Sequence, residues 1–142
     1  MSTDSEFIHT EVARLLKTIP DIHTVINGVV PPPSAIRHYP TLAIDYAVIK
    51  RREGRVLNSM DIEEEIDLYL YNQQPSSALE DISTGLIKKI DIAIQQDPVL
   101  RDNTVSCFIS EVVSDGGVLH PQGGRTLHRL TLYVTYIERC IT

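Results

Sequence analysis

Cysteine is scarce in this 142-residue chain, which has only Cys107 and Cys140. Two thiols build neither a disulfide framework nor a zinc site. A hairpin turning near residues 118 to 121 sets Cys107 opposite residues 131 to 133 and leaves Cys140 well beyond. Two reduced thiols in a reducing compartment are therefore expected. Basic residues are also few, 13 against 19 acidic ones, for a net charge of −6. That balance argues against a general nucleic-acid binder, whose phosphate contacts need cations. The apolar runs are too short to span a bilayer, so no membrane association is expected. The opening MSTDSEF is polar and acidic, unlike a signal peptide, and the chain is expected to stay where it is made.

Catalytic and ligand motifs are missing as well. Gly116-Gly117 and Gly123-Gly124 are followed by neither a Gly-Lys-Ser/Thr motif nor a helix, so they make no phosphate loop. No serine sits in a nucleophile elbow, and neither cysteine has a partnered histidine. Five histidines occur: His9, His23, His38, His120 and His128. None pairs with another at ligand spacing on one element. Glu11, the carboxylate nearest His9 in sequence, lies off its helix face. Solvated surface histidines are the expectation, with a metal shared by His120 and His128 the minor alternative. No enzyme activity and no cofactor are expected.

What the chain does have is a core-forming pattern. Hydrophobic residues make up 42%, and a chain of this length buries roughly 68–70% of its unfolded surface. One domain over residues 1–142 is expected. Leu79, Ile82, Leu86, Ile87, Ile90, Ala93 and Ile94 recur at steps of three and four, which predicts an amphipathic helix to about Gln96. Ser77 with Glu80 fits its capping box, and Asp97-Pro98 ends it. Gly85 weakens it by about 1 kcal/mol relative to alanine, and close packing on a sheet is the suggested reason. An earlier helix over 4–19 carries Phe7, Ile8, Val12, Leu15, Leu16 and Ile19 on one face. Thr3 with Glu6 caps it, and Pro20 stops it.

Five strands are predicted around these helices. A short run over 24–30 contains Asn27-Gly28. A proline-rich surface crossing over 31–40 leads to a strand over 41–51, with Leu42, Ile44, Tyr46 and Val48 on one side. The strand over 62–71 turns Ile66, Leu68 and Leu70 inward, and Glu65, Asp67, Tyr69 and Tyr71 outward. That alternation marks an antiparallel sheet with one wet side. A strand over 104–113 puts Val105, Cys107, Ile109 and Val113 together. The last strand, over 127–138, sets Leu130, Leu132, Val134 and Tyr136 against Arg129, Thr131, Tyr133 and Thr135. The fold class is α+β: two helices on one face of a twisted, mostly antiparallel sheet, in the order α-β-β-β-α-β-β.

Two charged groups and one loop are the candidate interface. Lys50, Arg51, Arg52 and Arg55 form a basic hairpin tip, read first as an ordinary solvated loop and otherwise as a protruding arm that docks on an acidic neighbour. Glu63, Glu65 and Asp67 share one face of a strand, where mutual repulsion speaks for a solvated surface rather than a cation site. Opposite charge between copies would fix register, so reversal of Arg51, Arg52 and Arg55 is expected to weaken assembly. The loop 114–126, with Gly116, Gly117, His120, Gly123, Gly124 and Arg125, is too long for a tight turn and reads as a mobile docking segment.

The helix exit Asp97-Pro98-Val99-Leu100, then a hairpin ending in Leu-Thr-Leu-Tyr-Val-Thr-Tyr, resembles the tail terminator proteins of tailed bacteriophages. So do the Thr18-Ile19-Pro20 exit and Tyr39-Pro40 leading into Leu42-Ala43-Ile44. The resemblance covers residues 5–138 and lies in the order of elements. It implies a homo-oligomeric ring, commonly of six copies, that caps the tail tube, ends its polymerisation and joins tail to head. The implied partners are the tail tube protein and neck or connector proteins. Genomic DNA would pass through the lumen without specific binding. The implied location is the virion tail or neck, after synthesis in the host cytoplasm. Another head–tail joining or head-completion protein is one alternative. A small ligand-binding α+β domain, with a pocket lined by Tyr46, Tyr69, Tyr71, Tyr133 and Tyr136, is another.

Overall fold

The computed structural model describes residues 5–45, 48–54, 59–73, 83–97, 106–120 and 125–139. Thr3, Ser77, Glu80 and Cys140, and with them both expected capping boxes, lie outside these residues. The elements are α1 (Ser5–Leu16), β1 (Thr24–Asn27), β2 (Thr41–Ile44), β3 (Val48–Glu53), β4 (Ser59–Gln73), α2 (Ser83–Gln96), β5 (Ser106–His120) and β6 (Arg125–Arg139). The fold is α+β, with two helices and a six-stranded, mostly antiparallel open sheet.

The sheet runs β1-β2-β4-β6-β5, and β3 pairs with the other half of the edge of β4 that β2 uses. β1 alone is parallel to its neighbour. β4, β5 and β6 are 15 residues each; β4 and β6 form the middle of the sheet and β5 its edge. Residues directly opposite on paired strands share a face. Ile62, Ile66 and Leu68 of β4 therefore lie opposite Tyr136, Leu132 and Leu130 of β6, and Leu70 and Val134 share their face. All are buried, in one cluster with Ile8, Val12 and Leu16 of α1 and Leu86, Ile90 and Ile94 of α2. The helical spacing read from the sequence thus puts both helices into one core.

The strand expected over 41–51 is two strands. In β2, Ile44 pairs with Leu68; in β3, Val48 pairs with Glu65. Three steps along β4 oppose four along the β2–β3 stretch, so one extra residue is inserted, as in a β-bulge. An inserted residue switches the faces of everything after it. Ile49 and Arg51 consequently share the core-side face, opposite Glu64 and Ile62, while Lys50 and Arg52 lie on the other, opposite Glu63 and Asp61. A second bulge falls at Ser110, where pairing shifts between Ile109 and Glu111. It turns Val112 to the side of Leu130 and puts Val113 opposite Arg129, away from the face of Cys107 and Ile109.

Among the described residues, the face away from the helices is covered at one end. Ile36, Ala43 and Tyr71 form a small second cluster there, and the Tyr71 hydroxyl donates to the Pro31 carbonyl oxygen at 2.6 Å. The proline-rich crossing is thus what buries Tyr71. β1 ends at Gly28, whose φ of 87° is one that glycine adopts without strain. Gly85 does not serve close packing: a Cβ there would meet nothing within 4 Å.

Candidate functional site

The two charged groups lie on one hairpin. β3 runs antiparallel to β4 with Lys50 opposite Glu63 and Arg52 opposite Asp61. Arg52 Nη2 is 3.8 Å from Glu63 Oε2, and Arg51 Nη2 is 3.7 Å from Glu138 Oε2 on β6. These exposed pairs are each worth about 0–1 kcal/mol. The basic and acidic candidates therefore meet within one chain, on adjacent strands, and do not form two patches on opposite sides. Arg55 lies outside the described residues.

Asp61, Glu63, Glu65 and Asp67 follow one another at every second position of β4, on the face away from α1 and α2. Among the described residues no group of three or more His, Cys, Asp or Glu could hold a metal. The neighbouring row on β6 is Thr131, Tyr133, Thr135 and Ile137, and the one on β3 carries Lys50 and Arg52. Thr131 Oγ1 donates to Asp67 Oδ1 at 2.9 Å, and the Phe108 and Tyr133 rings sit 5.4 Å apart beside Glu65. The result is a row of four carboxylates on β4, flanked on β3 by Lys50 and Arg52.

The expected docking loop is mostly strand. Residues 114–120 belong to β5 and 125–126 to β6, with Val118 opposite Thr126 and His120 opposite Arg125. Gly116 and Gly117 lie where the register shifts between Ser114 and Val118. A bulged stretch accepts glycine that a regular strand disfavours, so glycine content there did not signal a loop. Gly123 and Gly124 lie outside the described residues.

A polar group that sequence reasoning missed lies in the core. His9 and Glu64 are buried, although the histidines read as surface groups; His128 is buried too. The His9 Nε2–H donates to Glu64 Oε1 at 2.8 Å, and the Tyr136 hydroxyl donates to Glu64 Oε2 at 3.0 Å. The group joins α1, β4 and β6. The signal available was phase: Glu64 alternates with Ile62 and Ile66, so a carboxylate occupied a core position. Nearby, Arg14 donates to Glu11 at 2.9 Å and to Asp97 at 3.2 Å, tying α1 to the end of α2. His23 and His38 are exposed and stacked at 4.5 Å.

Burial shifts several acids upward. It pushes the Cys107 thiol up to about 12, with the charge of Asp97 adding to the effect. It raises the Tyr136 hydroxyl, helped by the charge of Glu64 and by the hydrogen bond to it. Tyr71 is raised by burial, then by Tyr69 and Asp45. Each group keeps its proton to higher pH folded than unfolded. Above the unfolded values the native state binds more protons, so stability falls as pH rises. This contribution is complete below about pH 9 and is lost as the pH climbs towards about 12. A series of thermal melts should show Tm falling over that window; a Tm that rises through it refutes the assignment.

None of the described helices is long and apolar enough to cross a membrane. Against protein-family models and curated proteins, the chain finds no match.

Proposed function

We propose that this chain is a structural virion protein, a tail terminator that caps the tail tube of a bacteriophage as a six-membered ring and joins the tail to the neck. In this reading both helices cover one face of the sheet, and the opposite face looks into the lumen. The observation that supports it is the row Asp61, Glu63, Glu65 and Asp67 on the face of β4 away from the helices, with Glu65 exposed and the other three half-buried. A wall that attracted phosphates would release counterions and hold the duplex; a carboxylate wall lets it pass. The proposed partners are copies of itself, the tail tube protein and a connector protein.

The test is light scattering of the purified protein, followed by negative-stain imaging with and without tail tubes. Six-fold rings, or added density at one end of the tube, are the expected result. A monomer that ignores tubes but binds a connector identifies a different neck protein. A monomer that binds neither overturns the assembly reading.

A further inference from the structure

The basic edge and a groove at the far side of the sheet complement each other. Between α2 and β5 lies an open cleft of about 250 Å³. Ile87, Ile109 and Val112 line it together with Lys88, Asp91, Ser110 and Glu111. Val112 is 47% exposed, high for an apolar side chain on the core-side face. The two carboxylates outnumber the one lysine. Across the sheet, β3 presents Ile49, 39% exposed, beside the exposed Lys50 and Arg51. Ile49 and Arg51 lie on the same face of the sheet as the cleft.

We infer that β3 of one copy docks at the α2–β5 edge of the next, with Ile49 against Val112 and Arg51 against Asp91 on the helix side, and Lys50 against Glu111 on the opposite face. The inference rests on the ring reading and names its subunit contact. A head-to-tail ring needs two different patches on opposite sides of the subunit. β3 and β5 meet that need, because they flank β4 and β6 at opposite edges. Direct strand addition is disfavoured at both. The bulge at Ser110 deforms the β5 edge, and Lys50, Arg51 and Arg52 charge the β3 edge. Side-chain docking remains.

Two variants test it: Lys50→Glu with Arg51→Glu, and Asp91→Lys with Glu111→Lys. The first makes both patches acidic, and the second makes both basic. Each alone should lose ring assembly by about tenfold or more. Mixed one to one, they should assemble as alternating rings, which misfolded chains would not do. Variants that assemble as well as the parent overturn the contact and leave the ring reading standing. A parent chain that forms no ring, alone or on tubes, overturns both. As a second probe, Ile49→Cys mixed with Val112→Cys should cross-link between copies on oxidation. Rings that yield no such cross-link also overturn the contact.

Discussion

Replacing Glu64 by alanine is expected to lower the unfolding free energy by about 3–5 kcal/mol, among the largest effects of any single change in the chain. The cost comes from what stays behind. The His9 ring and the Tyr136 hydroxyl both donate to this carboxylate, and both side chains are buried. Removing an acceptor from buried donors costs their desolvation, more than the hydrogen bonds themselves contribute. His9→Ala in the Glu64→Ala background should therefore add much less than His9→Ala alone, since the two residues act as a unit. Replacing both by leucine, with Tyr136→Phe to remove the remaining donor, should recover most of the loss, because packed apolar groups carry no desolvation cost. Urea unfolding of the four variants measures the cycle. A loss below about 1 kcal/mol for Glu64→Ala, typical of an exposed pair, rules out the triad as the anchor of α1.

The same residues mark where sequence reading stops. β6 was legible because Leu130, Leu132, Val134 and Tyr136 alternate without interruption, and all four are buried. Both helices were legible for the same reason, at their own period. The break between β2 and β3 was not. Apolar residues continue through it, and the inserted residue changes only which of them share a face. Ser110 hides a second phase change, and Val113 was assigned to the wrong face as a result. Glu64 could be flagged from its position between Ile62 and Ile66, but its partner His9 is 55 residues away, and only the docking of α1 brings them together. The charged candidates were legible as charges. Their adjacency on one hairpin depends on the pairing of Lys50 with Glu63, which no local pattern states. The α2–β5 cleft required the whole sheet order, since Asp91 and Glu111 belong to different elements.

Ile90→Ala is expected to cost about 2–5 kcal/mol, the range for emptying a fully buried aliphatic site. Ile90 is 0% exposed in the middle of α2, packed in the core shared with β4, β6 and α1. Two turns of this helix carry everything the proposed subunit contact needs on its side: Ile87, Lys88 and Asp91 sit on either flank of Ile90. Loosening α2 should therefore weaken ring formation as well as stability, even though Ile90 does not line the cleft. Ile92→Ala is the matched control, because Ile92 is 51% exposed and its loss should stay within about 0.5 kcal/mol. Urea denaturation gives the stability change, and amide exchange along α2 separates local loosening from global unfolding. If Ile90→Ala lowers stability but leaves α2 exchange and assembly unchanged, the helix is not what shapes the neighbour's seat. If all three change together, the core that the periodicity encodes also holds one half of the contact in place.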